Sequence, residues 1–390
     1  MKDLTKGKPS SLILSFAFPI FLANLLQLTY SLADTRIVGS FLGEDALAAV
    51  GSTSTVSNLI IGFLLGLANG FAIITAQRFG AKDVKGMKKS FAASILLGTG
   101  ISIVLTVLGM IFKNTLLGFL NVPHNLYGEA GAYIFIIIAG MTATFLYDSC
   151  AAVLRSLGDT ITPLIILLVS VALNITGDLF FVVVLKSGVR GAAIATVLAQ
   201  IIAFVICFVY MFKKYEILRL TKSDFTSLDG NLVRNMLGSG LSMGFMSSLV
   251  NIGSLTLQTA INKLGQDIIV AHTAARKISE MFMIMFTVFG QTMATYCGQN
   301  MGAGRIDRVK TGIKSALIYT CSWCVLTVIA SYTIGDWLIY LVTGSNNENV
   351  IRNAVNYLKF DTVFYFVTAF ICILRNAMQG LGEHIIPLVS

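Results

Sequence analysis

Charged side chains are scarce in this sequence. Asp, Glu, Lys and Arg make up 12% of the 390 residues and hydrophobic residues 55%, whereas soluble domains carry roughly 25% charged residues. No charged residue occurs within residues 46–77, 91–112, 191–212, 281–304 and 315–335. Each stretch exceeds the ~20 residues that a helix needs to cross a bilayer. The composition therefore predicts a protein whose outer surface faces lipid.

Motifs of the common enzyme classes are also missing. The sequence contains no GxxxxGK[ST] phosphate loop, no HExxH zinc motif and no GxSxG nucleophile elbow, and its three histidines lie in different segments. Its one CxxC pair, Cys321 and Cys324, has neither a second pair nor a neighbouring histidine with which to bind zinc. We therefore expect a protein that is not an enzyme and that carries no cofactor.

Polar breaks divide the chain into ten apolar spans. Their approximate bounds are residues 11–41, 47–79, 90–112, 128–157, 162–185, 191–211, 232–264, 268–300, 312–342 and 350–381. The alternating ten-residue segments of a membrane β-barrel are not found. No small-residue cleavage site follows the first span, so we expect this span to stay in the protein. The predicted fold is an all-α polytopic membrane protein.

The formal net charge of +9 comes from basic residues that concentrate in short loops between the spans. Most of these residues fall on one side of the membrane if the N-terminus is cytoplasmic. Because Lys and Arg mark cytoplasmic loops, the pattern predicts a cytoplasmic N-terminus in a plasma or inner membrane. This explanation of the charge leaves no need for nucleic acid as a partner.

The second half of the chain repeats the first. GED at residues 43–45 recurs as GQD at 265–267, QRFGA at 77–81 as QNMGA at 299–303, and LGDTITPL at 157–164 as LGEHIIPL at 381–388. An even number of helices in each copy predicts two lobes of the same orientation, related by an axis near the membrane normal. We expect an N-lobe at residues 1–212, a basic cytoplasmic linker at 213–231 and a C-lobe at 232–390.

The second copy is shorter than the first. Pro163 precedes two spans that extend to residue 211, whereas its counterpart Pro387 precedes only Leu388, Val389 and Ser390. A complete repeat would add about 45 residues. We therefore expect that the natural protein has twelve helices and that this chain is truncated after the fourth helix of its C-lobe.

Acidic residues within the spans are the first candidates for function. They are Asp34, Asp148, Asp178, Glu280 and Asp361, and an ionised group there costs about 2.5–3.5 kcal/mol. By helix rise, Asp34 and Asp178 both lie ~10 Å from the outer ends of their spans. Asn174 lies one turn from Asp178 on the same helix face, and Thr196 lies ~8 Å into the next span.

These four residues suit two kinds of chemistry. Two carboxylates, an amide and a hydroxyl offer the oxygen ligands that hard cations prefer. Two neighbouring carboxylates can also share a proton, because their mutual repulsion favours the protonation of one of them. Depth and spacing leave another interpretation open, in which Asp34 and Asp178 extend toward the headgroups while Asn174 and Thr196 hydrogen-bond neighbouring helices.

Several motifs resemble the multidrug and toxic compound extrusion (MATE) family across essentially the whole chain. They are Pro19 fifteen residues before Asp34, QRFGAKD at 77–83, LRSLGDTITP at 154–163, NITGD at 174–178, GAAIATVLAQ at 191–200 and GQNMGAG at 298–304. The resemblance implies two six-helix lobes and a secondary active antiporter that exports organic cations or drugs in exchange for Na⁺ or H⁺ by alternating access. In one branch of the family, the cation site matches Asp34, Asn174, Asp178 and Thr196.

The resemblance is weaker in the second lobe. Thr256 stands where the repeat places a counterpart of Asp34, so this chain lacks an acid that another branch carries there. Glu280 resembles an acid of some members and is a secondary candidate, either for cation contact or for a packing hydrogen bond. We expect structural roles for Asp148 and Asp361. Pro19 should kink the first helix, and family analogy suggests that this kink links ion binding to bending.

Two other functions stay open. One is a lipid-linked oligosaccharide flippase of the same superfamily, which would line its cavity with several basic residues, and few occur in these spans. The other is a membrane scaffold without transport, for which no ion-dependent flux is expected. For the antiporter we expect a small organic cation or amphipathic substrate, contact with membrane lipid, and a monomer.

Overall fold

The structure, a computed structural model, describes residues 2–119, 122–123, 126–226, 228–261, 264–344 and 347–389. All regular secondary structure in these residues is helical, which confirms the predicted all-α fold. The helices are α1 (Pro9–Leu42), α2 (Glu44–Gly80), α3 (Val84–Ile111), α4 (Lys113–Phe119), α5 (Tyr127–Ser156), α6 (Ile161–Asp178), α7 (Gly188–Lys214), α8 (Lys222–Thr226), α9 (Gly230–Ile261), α10 (Gln266–Gly302), α11 (Ile306–Thr333), α12 (Gly335–Thr343), α13 (Glu348–Leu381) and α14 (Ile386–Val389). A π-helical segment, Leu179–Val184, continues α6.

Nine helices in the described residues are long and apolar enough to cross a membrane. They are α1, α2, α3, α5, α6 with its π-helical continuation, α7, α9, α11 and α13, and each corresponds to a predicted span. The remaining predicted span, residues 268–300, corresponds to α10, which is not among the nine. With 37 residues α10 is long enough to cross, but Arg276, Lys277 and Glu280 make its first half more polar.

Two predicted boundaries were wrong. Helix α3 begins at Val84 rather than near residue 90, because the Asp83 side chain accepts a hydrogen bond from the backbone N–H of Gly86 (2.8 Å) and caps the helix. The predicted span at 312–342 is two helices, α11 and α12, separated at Ile334. In the first half, α3 and the short α4 are likewise two helices.

Helix bounds repeat at a constant distance along the chain. Helices α2 and α10 start 222 residues apart and end 222 residues apart, and so do α3 and α11; α4 and α12 also start 222 residues apart. This is the distance at which the sequence motifs recur, so the predicted internal repeat is also a repeat of helix positions.

Tertiary contacts divide the chain into two compact units. Unit 1 contains residues 1–3 and 22–248, and unit 2 contains residues 4–21 and 249–390. The division therefore falls inside α1 and α9, the first helix of each half. Pro19 lies just before the point where α1 passes from unit 2 to unit 1. The predicted lobe boundaries at 212 and 232 follow from the sequence repeat and stay a prediction.

Each unit has its own hydrophobic core. In unit 1, side chains of α2 and α5 such as Leu67, Phe71, Ile138 and Phe145 are fully buried together. In unit 2, residues of α10 and α13 pack with the first part of α1, including Ile13 and Phe16. The free cysteines lie among such packed residues: four are buried and two are half-buried.

The loop between α5 and α6 is held by one buried carboxylate, that of Asp159. Its Oδ1 accepts from the backbone N–H of Thr162 (3.0 Å), and its Oδ2 accepts from the hydroxyls of Thr162 (2.7 Å) and Tyr215 (2.5 Å). Burial raises the pKa of Asp159, but the hydrogen bonds from Tyr215 and Thr162 lower it more, so the pKa lies below its ordinary value.

Replacing Asp159 by Asn is expected to lower the free energy of unfolding by about 1–3 kcal/mol, because two buried hydroxyl donors lose a charged acceptor. The folded pKa lies below the unfolded value of about 3.9, so the carboxylate stabilises the fold above that pH and loses this effect as the pH falls through the folded pKa. Thermal unfolding measured from pH 7 to pH 3 should show a constant difference between wild type and Asp159→Asn, which shrinks below about pH 4. The exposed Asp229→Asn is the control. A difference that grows on acidification would contradict the prediction.

Candidate functional site

Three helices of unit 1 bring the predicted site residues together. Asp34 lies in α1, Asn174 and Asp178 lie one turn apart near the end of α6, and Thr196 lies in α7. The α-helical geometry of α6 ends at Asp178, where the π-helical segment begins. Such wider turns are frequent at functional sites. Here the change in geometry coincides with a buried carboxylate.

Hydrogen bonds connect all four residues. The carboxyl groups of Asp34 and Asp178 are close enough to share a hydrogen bond. With the Asn174 amide oriented so that its nitrogen donates to Asp178 Oδ2 (3.0 Å), its oxygen accepts from the backbone N–H of Thr196 (3.2 Å) and lies 3.2 Å from the Thr196 hydroxyl. That hydroxyl also contacts the carbonyl oxygen of Ala192 (3.1 Å). The network therefore joins α1, α6 and α7.

The two carboxyl groups retain unused acceptors. Asp178 is fully buried and Asn174 is 2% exposed, whereas Asp34 is half-buried. The Oδ1 atoms of Asp34 and Asp178 are both buried, and neither has a hydrogen-bond partner in the described part of the chain. Buried, unpaired carboxylates are unfavourable, so this arrangement suits a bound cation or a shared proton. The oxygen donors fit Na⁺ as well as H⁺.

Two tyrosines beside the site were missed from the sequence. Tyr30, one turn before Asp34 on α1, has its hydroxyl 3.4 Å from the Thr196 hydroxyl. Tyr133 on α5 lies within electrostatic range of Asp34, Asp178 and Tyr30. The i, i+4 spacing of Tyr30 and Asp34 could have identified the first. Only the tertiary structure identifies Tyr133.

The other predicted residues lie outside this network. Glu280 of α10 is about half exposed and forms ion pairs within its own helix, with Lys277 (3.6 Å) and Arg276 (3.9 Å). Thr256 is exposed and donates to the carbonyl oxygen of Ile252 (3.0 Å). Pro19 is buried within α1, whose helical assignment continues through it from Pro9 to Leu42.

Asp148 and Asp361 have partners of their own. Asp148 interacts electrostatically with Arg155, seven residues later on α5, and Arg155 donates to the Asn69 side chain on α2 (3.2 Å). Asp361 Oδ2 accepts hydrogen bonds from the hydroxyls of Ser279 (2.8 Å) and Tyr365 (3.0 Å). Neither residue belongs to the Asp34 network.

Comparisons with known proteins agree with this architecture. A model of the MatE family matches residues 19–180 and 242–390. The probable multidrug resistance protein YpnP of Bacillus subtilis is 28% identical over 391 residues, covering 99% of this chain and 86% of YpnP. An FAD transporter of Shewanella oneidensis is 22% identical, covering 81% of this chain and 71% of that protein. A crystal structure of MATE in complex with MaL6 superposes with a TM-score of 0.92 at 23% identity, over 99% of this chain and 86% of that one, which shows a shared fold.

Proposed function

Because the chain belongs to the MatE family, we propose that it is a secondary active antiporter that exports amphipathic organic cations in exchange for Na⁺ or H⁺. We place it in a plasma or inner membrane, with its N-terminus in the cytoplasm. The multidrug resistance name of YpnP supports export of drug-like molecules. The observation that carries the proposal is the pair of contacting carboxyl groups, Asp34 and Asp178, each with a buried oxygen that lacks a partner in the described residues.

This pair can couple two fluxes. Ion binding neutralises charge that would otherwise be unpaired in a buried site, so the site has a strong affinity for either a coupling ion or a cationic substrate. A hydrogen bond between two carboxyl groups requires a proton on one of them, which supports H⁺, whereas the unpartnered Oδ1 atoms support Na⁺. Asn174 orients the Asp178 carboxylate by donating a hydrogen bond to it, and Thr196 in turn holds the Asn174 amide.

Helix α1 offers a route from the ion to the rest of the molecule. Its later part carries Asp34 and belongs to unit 1, while residues before Leu22 belong to unit 2. Pro19 lacks the backbone N–H that would complete the helix ladder, which lowers the resistance of α1 to bending close to this division. A change of charge at Asp34 would therefore act on the helix that both units share.

Ethidium transport in proteoliposomes tests the proposal. We expect uptake or export that follows an imposed Na⁺ or pH gradient and that falls to the protein-free background when an ionophore collapses that gradient. Applying the two gradients separately identifies the coupling ion. Transport that follows ATP alone, or no ion-dependent flux at all, would exclude the antiporter, and the second result would favour a scaffold. Gradient-independent movement of a lipid-linked diphosphate would instead indicate a flippase.

A further inference from the structure

A second polar cluster lies in unit 2, away from the Asp34 network. His272 and Arg276 are one turn apart on α10, and Tyr357 and Asp361 are one turn apart on α13. His272 and Tyr357 meet edge to face, with ring centroids 5.3 Å apart at 83°. Asp361 lies within electrostatic range of His272 and Tyr357, and Arg276 within range of the same two residues. The four residues therefore belong to one cluster between α10 and α13.

His272 has no partner for its ring nitrogens. Its side chain is 5% exposed, and neither Nδ1 nor Nε2 makes a hydrogen bond within the described residues. An imidazole always carries at least one N–H donor, and a buried polar group without a partner costs about 1–3 kcal/mol. Such groups are rare in folded proteins. The arrangement points to a ligand that supplies the missing partner.

Arg276 is the positively charged member of the cluster, and its side chain is about one-third exposed. Its guanidinium donates to the Ser254 hydroxyl (3.3 Å) and lies within electrostatic range of the Tyr357 side chain. Glu280, 3.9 Å away, is half exposed and shared with Lys277, so it offsets the charge only weakly. With five N–H donors, the guanidinium retains capacity for an anionic group.

Asp361 provides the opposite charge in the same cluster. One of its oxygens, Oδ2, is held by Ser279 and Tyr365. The other accepts no hydrogen bond from the residues that the structure describes. One end of the cluster thus presents the donors of Arg276 and His272, and the other presents a fixed carboxylate.

We propose that His272, Arg276, Tyr357 and Asp361 form a substrate site for zwitterionic amphiphiles. Arg276 and His272 bind the carboxylate or another oxyanion of the ligand, and Asp361 binds its cationic group. A simple cation would be repelled by Arg276 and a simple anion by Asp361, whereas a zwitterion satisfies both charges. The inference deepens the proposed transport function, on which it rests, by naming a class of substrate.

Two dyes that differ by one methyl group provide the test. Tetramethylrhodamine carries a carboxylate and a delocalised positive charge, and its methyl ester carries only the positive charge. Fluorescence polarisation with the purified full chain in nanodiscs should show that Arg276→Gln weakens tetramethylrhodamine binding about tenfold, or 1.4 kcal/mol. The affinity for the ester should be equal or higher, because the arginine no longer repels the cation. Asp361→Asn should weaken the binding of both dyes.

Lys277→Gln is the matched control, since it removes the same charge from the neighbouring, exposed position. It should leave both affinities within about twofold, and Arg276→Lys should restore part of the lost affinity. Four results would overturn the site. Two concern Arg276→Gln, which would then weaken the binding of both dyes equally or weaken neither. The other two are a Lys277→Gln variant that weakens tetramethylrhodamine binding as much as Arg276→Gln does, and a wild type that does not bind tetramethylrhodamine at all. Ethidium transport by the wild type is measured in parallel. If the wild type shows gradient-driven ethidium flux but the dye affinities do not change as expected, only this site is rejected. If the wild type shows no gradient-driven ethidium flux, the antiporter itself is rejected.

Discussion

Replacing either Asp34 or Asp178 by Asn is expected to reduce gradient-driven ethidium transport to the protein-free background. Each change removes a cation ligand and also the repulsion that makes its neighbour bind a positive ion. Membrane insertion and the yield of folded protein should stay near wild type, because Asn has nearly the volume of Asp. Proteoliposome flux, normalised to reconstituted protein, is the measurement.

The double variant Asp34→Asn/Asp178→Asn should transport no worse than either single variant, because contacting groups that act as one unit have non-additive effects. Thr196→Ala should be milder and should shift the ion concentration for half-maximal transport more than the maximal rate, since Thr196 contacts Asn174 rather than either carboxyl group. Asp336→Asn, at an exposed position of α12, is the matched control. Full transport by Asp178→Asn would remove the pair from the coupling site.

The second large effect is expected where α2 and α9 approach within unit 1. A Cβ atom on Gly70 would lie 2.5 Å from the Ser239 carbonyl oxygen, and one on Gly66 would lie 2.6 Å from the Met243 carbonyl oxygen. These neighbours are backbone atoms, which cannot rotate away as a side chain could. Gly66→Ala and Gly70→Ala should therefore force the helices apart, each lowering the free energy of unfolding by about 1–3 kcal/mol.

The same helix offers the control. Gly51 of α2 has no atom within 4 Å of its virtual Cβ, so Gly51→Ala should leave the melting temperature unchanged or slightly higher, as expected for Ala in a helix. Thermal unfolding in detergent, followed by loss of soluble protein, should show a decrease of several degrees for Gly66→Ala and for Gly70→Ala but not for Gly51→Ala. If Gly66→Ala and Gly70→Ala melt at the same temperature as Gly51→Ala, the close contact between α2 and α9 does not contribute to stability.

Composition and periodicity were sufficient for the fold class. Each span is a local property of some twenty consecutive residues, and each repeat is a property of the sequence alone, so the spans, the all-helical fold and the 222-residue repeat could be predicted without tertiary information. Helix ends were less predictable. The start of α3 depends on one hydrogen bond from Gly86 to Asp83, and the separation of α11 from α12 left no clear signal in hydropathy.

The Asp34 site lay within reach of sequence reasoning for a physical reason. Charge is costly in a span, helix rise gives depth, and the i, i+4 spacing places Asn174 beside Asp178, so local rules selected all four residues. These rules could not show that the Asp34 and Asp178 carboxyl groups touch, because the two positions belong to different helices and their contact depends on how α1 and α6 pack.

Tyr133 and the cluster around His272 depended entirely on tertiary structure. Along the chain, α11 and α12 separate His272 and Arg276 from Tyr357 and Asp361, and nothing in the sequence shows that the two pairs meet. Only the packing of α10 against α13 places the arginine, the unpartnered imidazole and the carboxylate together.

The sequence by itself therefore determined that this protein is helical, membrane-spanning and duplicated, because those properties follow from local hydrophobicity and its repetition. Which charges meet was decided by helix packing, since side-chain electrostatics act over a few ångströms of space and not along the chain.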